Sequence, residues 1–556
     1  MRLHWLVVVA LGCQGSRAGD DTPPDPKGWT ITVDMSGLDR YVVPETETNW
    51  TVRGKATATE GLATVDIGDI NGTFADDGAF MQSVAVAQGT TRVPILVRDQ
   101  AGHERKATRT LMATRFLVDG SHNASAASLV LDDAILAAMS GSIAGQAGTI
   151  DVAAEIMMKN VLSQDDRCTT WPVSAQQGVV RVELVEDLGN LWLHITVPSL
   201  DVRFGGQCQG LLQTIPIAGR MGGTLHIWSR LTAKPAQESC IDSFAHTLPE
   251  VQVAGWQFDV WGVGGPLQNW IVDLFSGEKS AEAKAQIASE VRTRANTMLT
   301  EKLANISVFD RTSELTLLDK PVALHLCLGG LEKIGPQLVA RIAASAIGPG
   351  GDREAPGAPQ IDGAALNPAM KELVLDANLV AQLLYASWRN GGLARVASDV
   401  DIGIFQILMP QLYERWPDAT TAQVAIDAEL PPIVRASTTT NDLTIELPDL
   451  MVTLSVEGTQ ILKLNVGLTL VLDLEPSAGK LSPKVIDSKA EVALIDELYD
   501  GPDAALEQAV QSQIGGAAAG LLGDSAAIAL PDLPGLGAPV DVVPDAGGRF
   551  LRIRLQ

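Results

Sequence analysis

Aromatic side chains are scarce in this sequence: Phe, Trp and Tyr make up 4% of the residues, although hydrophobic residues make up 46%. The apolar content is therefore aliphatic, and long alternations of Val, Leu, Ile and Thr point to extended sheet. Charged residues are also few, at 19%, which excludes a solvated, disordered chain. The charge present is mostly of one sign, with 41 Lys and Arg against 66 Asp and Glu and a formal net charge of −25. Such a field repels phosphate backbones and anionic membrane surfaces, so nucleic acid is excluded as a partner. No apolar run reaches the roughly 20 residues that a membrane-spanning helix needs.

Catalytic signatures are missing as well. The seven histidines are spread singly, with no His-Glu-x-x-His and no clustered His, Asp and Glu set, so no metal site is expected. Gly141-Ser142-Ile143-Ala144-Gly145 has the letters of a nucleophile elbow but not its spacing, and reads as a helix ending at Gly141. Gly262-Val263-Gly264-Gly265 lacks the final glycine of a dinucleotide fingerprint. The segment Asp66-Ile67-Gly68-Asp69-Ile70-Asn71-Gly72 has the wrong register for a calcium loop and reads as a hairpin turn. Trp256, Trp261 and Trp270 read as core packing rather than an aromatic box. Neither enzymatic activity nor a cofactor is expected.

What is present begins at the N-terminus. Met1 to Trp5 form a short basic start, and Leu6 to Gly12 a brief apolar run ending at Cys13. The run is too short to span a bilayer and reads as a cleaved export signal. Its end resembles the lipobox of bacterial lipoproteins, although Ala10 stands where a large aliphatic residue is usual. That resemblance implies diacylation of Cys13, and export to the bacterial cell envelope as an outer-membrane lipoprotein facing the periplasm or the cell surface. Four cysteines remain, Cys168, Cys208, Cys240 and Cys327. Outside the cytosol they permit two disulfides in any of three connectivities.

At 556 residues the chain has room for about three domains. Residues 1–13 are the export signal, and the polar, proline-rich 14–27 a flexible linker. Short alternating strands between Gly, Asp and Asn turns fill 28–116 and fit a small β-sandwich. Within it, Asp77-Gly78-Ala79-Phe80, Gly89 and Val93 through Gly102 resemble bacterial immunoglobulin-like domains. From Ser128 to Met139 apolar residues fall at helical spacing, putting Leu129, Ile135, Leu136 and Met139 on one helix face. Extended runs follow between 178 and 262. A long amphipathic helix then carries Ile271, Leu274 and Phe275 and continues past Leu299. A Gly/Pro-rich linker over 346–363 divides 118–345 from 364–556. Beyond it the order repeats: a helix with Leu379, Leu383, Leu384 and Trp388, long strands, then a helix with Leu506, Ala509 and Val510.

Three stretches in this order resemble the bactericidal/permeability-increasing and lipopolysaccharide-binding protein family of tubular lipid-binding domains. They are Trp270 to Phe275 leading to Asn305, Lys320 to Gly330, and Leu379 to Leu393. The resemblance implies an α+β fold: an N-terminal immunoglobulin-like β-sandwich, then two tubular barrels in a boomerang with a shared central sheet. Each barrel would be a twisted antiparallel sheet wrapped round a long helix. It also implies non-enzymatic binding, with transfer or sensing, of phospholipid or another acyl lipid between helix and sheet, and a membrane surface reached through the N-terminal anchor. The apolar helix faces named above are the expected lining. Recognition of anionic endotoxin does not carry over, because the family's basic barrel tip is at odds with this acidic chain. The stretch 266–304 has no cysteine, so any bridge joins elements other than the long helix. The alternative reading is an envelope adhesion or scaffold protein whose sandwich and barrel surfaces bind a protein partner.

Overall fold

Alternation of aliphatic and polar residues dictates long strands, and long strands organise the chain. The structure is a computed structural model that describes residues 26–35, 41–147, 151–164, 168–209, 214–235, 240–262, 280–303, 310–351, 353, 356–440, 442–477, 480–522, 528–529 and 536–556. Strand predominates, helices are few, and the α+β arrangement includes a curled half-barrel sheet. Among the described residues no helix is long and apolar enough to cross a membrane.

An N-terminal unit of eight strands lies between Ile31 and Ala113. Val52, Ala56, Val65, Ile67, Ile95, Val97 and Leu111 form its core, separate from the main one. The Asp66–Gly72 segment is a hairpin, with Ile67 opposite Ile70 and Gly68 in the left-handed region at φ 61°. Such a φ favours glycine, which has no Cβ to clash there.

A central seven-stranded antiparallel sheet is assembled from distant parts of the chain. Its order is Arg311–Leu317, Lys320–Ile334, Gln337–Ile347, Asn123–Val130, Glu372–Asp376, Phe550–Leu555 and Pro539–Pro544. Its seam pairs Ala127 with Leu375 and Leu129 with Leu373, so the two halves of the chain share one hydrogen-bonded sheet. Every side chain of Glu372–Asp376 is buried, as expected of a strand covered on both faces.

Two further sheets flank this centre. The first has Asn190–Gln209 and Thr214–Pro235 as its long strands, and the second Asp442–Val456, Thr459–Ser477 and Lys480–Glu497. In Asn190–Gln209 the residues Leu191, Leu193, Ile195 and Val197 are buried while Trp192, His194 and Thr196 face outward. At Leu200 the register shifts by a bulge against the neighbouring strand, and Ser199 takes φ 52°. The second sheet repeats the device: its register shifts between Leu447 and Leu450, and Asp449 takes φ 50°. The sequences match there, Ile-Thr-Val-Pro-Ser-Leu-Asp-Val from Ile195 against Ile-Glu-Leu-Pro-Asp-Leu-Met-Val from Ile445. A proline that cannot donate a ladder hydrogen bond, placed beside a bulge, bends a strand at a fixed point. Both sheets bend at the same point of the repeat.

Several expectations change. Leu129 is not on a helix, because Asn123–Val130 is a central-sheet strand and the helix runs over Asp133–Ala147. Asp132 sets that start by accepting a hydrogen bond from the Ile135 amide at 3.0 Å, an N-cap that ends the extended backbone. The helix continues through Gly141 rather than stopping there. The 346–363 linker contains a strand, Ala358–Gln360, paired with Arg115–Leu117. Of the 14–27 linker only Pro26 and Lys27 are described, and Lys27 is held: its amide donates to Leu498 O at 3.1 Å. Trp261 is exposed, whereas Trp256 is partly buried and donates to Ser280 Oγ at 3.0 Å. Trp270 lies outside the described residues.

Candidate functional site

The long helix spans Ser280–Leu303. Ile287, Val291, Ala295, Leu299 and Leu303 recur at intervals of four and are buried, so they form one apolar stripe down the helix. A short helix, Val152–Met157, lies opposite, capped by Asp151, whose side chain accepts from the Ala154 amide at 2.8 Å. Between the two helices and Ile227 of the first flanking sheet a pocket of about 420 Å³ opens, within the roughly 300–1,000 Å³ common for small-molecule sites.

Its floor is hydrocarbon, made by Val152, Ile156, Ile227, Val291, Ala295 and Met298. The rim is ionic. Lys159 Nζ lies 2.7 Å from Glu290, and Arg294 Nε lies 3.6 Å from both Glu155 and Glu290. The bonded Lys159 ammonium holds the Glu290 carboxyl below its ordinary range. Among the described residues lining the mouth, the acids are Asp151, Glu155, Glu290 and Glu301 and the bases Lys159 and Arg294. An apolar floor offers methylene groups the water-to-hydrocarbon gain of about 0.8 kcal/mol each. An acidic rim opposes a polyanionic headgroup.

The expected lining residues fall into three groups. Ile135, Leu136 and Met139 lie on the Asp133–Ala147 helix and are buried, and Leu129 joins them from the central sheet in one continuous core. Leu379, Leu383, Leu384 and Trp388 lie on the helix Ala377–Arg389, which is buried from Ala377 through Trp388. Trp388 donates to Ala428 O at 2.7 Å, as a structural core tryptophan does. Ile271, Leu274, Phe275 and the anchor residue Cys13 lie outside the described residues. Of the expected residues that are described, none lines the pocket between the helices. Of the residues that do line it, Val291, Ala295 and Met298 lie on the apolar stripe of the long helix that the sequence shows, whereas those of 151–159 could have been found from the Asp151 cap.

The cysteines pair as Cys168–Cys208 and Cys240–Cys327. The first joins cross-strand partners within the first flanking sheet. The second ties the start of the 241–246 strand to the central sheet.

A second set of polar contacts lies between the N-terminal unit and the second flanking sheet. Arg105 Nη2 donates to Glu497 at 2.7 Å, with both side chains almost wholly buried. Thr110 donates from its amide at 3.2 Å and its hydroxyl at 2.7 Å to Asp449, the bulge residue. Arg92 reaches Asn465 and Glu491, and Trp29 lies beneath the Arg105 guanidinium and the Lys27 ammonium. Burial pushes the Asp449 carboxyl up and raises Glu497 to about 7.

No family model matches the chain, and no curated protein matches it. Solved structures do. A crystal structure of lipopolysaccharide binding protein aligns over 79% of this chain and 99% of its own, with 12% identity and a TM-score of 0.38. P47 of Clostridium botulinum E1 aligns over 78% of this chain and 100% of its own, with 9% identity and a TM-score of 0.26. P47 from Clostridium botulinum A2 aligns over 78% and 97%, with 8% identity and a TM-score of 0.29.

Proposed function

We propose that this chain binds an acyl lipid without chemical conversion, at a bacterial envelope to which Cys13 anchors it. The supporting observation is the pocket between Val152–Met157 and Ser280–Leu303, with its hydrocarbon floor and self-paired ionic rim. Hydrocarbon burial supplies the affinity, and among the described rim residues four carboxylates face two cations, which disfavours a polyphosphorylated headgroup. A phospholipid of low charge, its acyl chain between helix and sheet, fits both features. In this reading the two flanking sheets with their helices are paired tubular barrels.

Native mass spectrometry of protein that has been delipidated and re-exposed to a bacterial lipid extract tests the proposal. Wild-type chain retains a stoichiometric acyl lipid. Ala295→Trp, which places an indole in the pocket at about 1–3 kcal/mol of overpacking, loses it. Arg292→Trp, on the exposed side of the same helix, keeps it. Wild-type protein that emerges lipid-free, or equal retention by Ala295→Trp, rejects the pocket. Envelope fractionation tests the anchor: Cys13→Ser moves the protein from the membrane to the soluble fraction.

A further inference from the structure

Two histidines far apart in sequence meet beside a disulfide. His122 precedes the central-sheet strand Asn123–Val130, and His325 lies on Lys320–Ile334. Their Nε2 and Nδ1 atoms are 2.8 Å apart. Ser345, the cross-strand partner of His325, lies 3.5 Å from His122 Nε2 through its hydroxyl. On the far side of His325, Nε2 is 2.7 Å from Asp310 Oδ1. A ligand atom from each of His122, His325 and Cys240 falls within 4.8 Å of the others. All three residues are half-buried, within reach of a dissolved ion.

We infer that His122, His325 and Cys240 form a divalent transition-metal site, of the zinc type, that is completed when the Cys240–Cys327 disulfide is reduced. A carboxylate bonded to one imidazole nitrogen fixes the tautomer and leaves the other nitrogen's lone pair for a metal. Asp310 does this for His325, keeping the proton on Nε2 and Nδ1 directed at His122. Two imidazoles and one thiolate are ligands that zinc accepts, with water or the Ser345 hydroxyl for the fourth position. Tetrahedral bonds of about 2.0–2.1 Å to nitrogen need the two nitrogens only about half an ångström further apart than they are.

The redox dependence follows from the sulfur. In the disulfide, Cys240 Sγ is a poor donor, and the site has two imidazoles. A dithiol reductant attacks the bridge through one thiolate and forms a mixed disulfide, which its second thiolate resolves. The reductant leaves as its own disulfide, carrying the oxidation, and Cys240 and Cys327 are left as thiols. Metal binding then displaces the Cys240 thiol proton to solvent, and His122 transfers its Nε2 proton to Nδ1 by tautomerisation. The strong site thus exists only while the staple between the first flanking sheet and the central sheet is open.

Cobalt(II) titration of the full chain, stripped with a chelator and kept free of oxygen, tests this. Oxidised protein binds weakly and shows no sulfur-to-cobalt charge-transfer absorption. Reduction by a water-soluble phosphine, which leaves as the oxide with oxygen taken from water, tightens binding and brings in that absorption. Cys327→Ser, which leaves Cys240 as a free thiol, shows the band without reductant, whereas Cys240→Ser never does. Asp310→Asn weakens binding about 10–100-fold, and His122→Ala abolishes tight binding. If either cysteine variant fails to fold, the wild-type titration with and without phosphine, repeated with His122→Ala, still decides. Reduced protein without the sulfur band, or cobalt affinity indifferent to His122→Ala, reduces the cluster to a hydrogen-bonded strut.

Discussion

At the scale of single residues, the most consequential groups are carboxylates that have been taken out of water. Glu497 is raised from an ordinary 4.5 to about 7 by burial, against the pull of Arg105. A carboxyl whose folded value lies above its unfolded value binds more protons folded than unfolded between the two, so its contribution to stability falls as pH rises through that window. From pH 4.5 to 7 the wild-type protein therefore loses stability through this group, by up to about 3 kcal/mol. Buried Asp449, also raised, acts in the same direction. Denaturant unfolding at pH 5 and pH 8 checks this: Glu497→Gln makes the pH dependence shallower in that interval, and an unchanged slope would show that the Arg105 pair keeps Glu497 ionised throughout. Sequence does not expose such partners. Arg105 and Glu497 are 392 positions apart, and His122 and His325 are 203 apart. Singly spread histidines therefore read as the absence of a cluster, while the fold brings two of them to 2.8 Å. Polar pairing across a core depends on tertiary placement, which neither spacing nor period encodes.

Among elements, legibility follows periodicity. The helix with Leu379, Leu383, Leu384 and Trp388 is readable because strong apolar spacing continues over its whole length, and the strand Asn190–Gln209 because its alternation runs unbroken to Pro198. The boundary near Leu129 is not. Ala126 through Leu131 are buried without interruption, and a continuous buried run has no period to separate a strand from a helix. The Pro-Ser-Leu and Pro-Asp-Leu bulges are present in the sequence as a repeat of eight positions, too short to stand out until the same register shift and positive φ are found at both. The junction of the halves is also set by elements, and its hub is Asp376. That side chain is fully buried, accepts from Asn378 N at 3.0 Å to cap the helix, and binds Asn123 at 3.1 Å and Arg549 at 2.6 Å. It thereby links three neighbouring central-sheet strands and the helix that covers them. Asp376→Ala takes the carboxylate from the Arg549 guanidinium, which keeps the Gly363 carbonyl, and removes the cap, and the expected loss is about 3–5 kcal/mol. Chemical denaturation measures it, and a loss below about 1 kcal/mol, the range of a surface pair, would mean that the hub contributes only as an exposed ion pair does.

On the scale of the whole molecule, the duplicated order of helix, strands and helix is visible in the sequence because each copy repeats its own hydrophobic pattern. The attachment of the N-terminal unit is not, because it depends on one copy differing from the other. At the first bulge the repeat has Ser199, and at the second it has Asp449, whose carboxylate takes both the amide and the hydroxyl of Thr110. The N-terminal unit, which sequence rhythm presents as a small β-sandwich, is seated on the second half, with Arg105 against Glu497 and Arg92 against Asn465 as further pins. Its own core of Val52, Ile67, Ile95 and Leu111 is apolar enough to unfold as a unit, so its cooperation with the rest depends on this interface. Buried polar contacts of this kind lose more when one partner is removed than they contribute as a pair. Arg105→Ala combined with Thr110→Val leaves Glu497 buried without its guanidinium and takes the hydroxyl from Asp449, which keeps the backbone amide of residue 110. Differential scanning calorimetry of the wild-type chain then gives one transition over the N-terminal unit and the second half. The double variant gives two, with the N-terminal unit melting separately. A single transition in the double variant would mean that apolar contacts such as Tyr41 and Met112 with Leu430 and Ile433 suffice to hold the unit. The polar pins would then select the docked position without setting its strength.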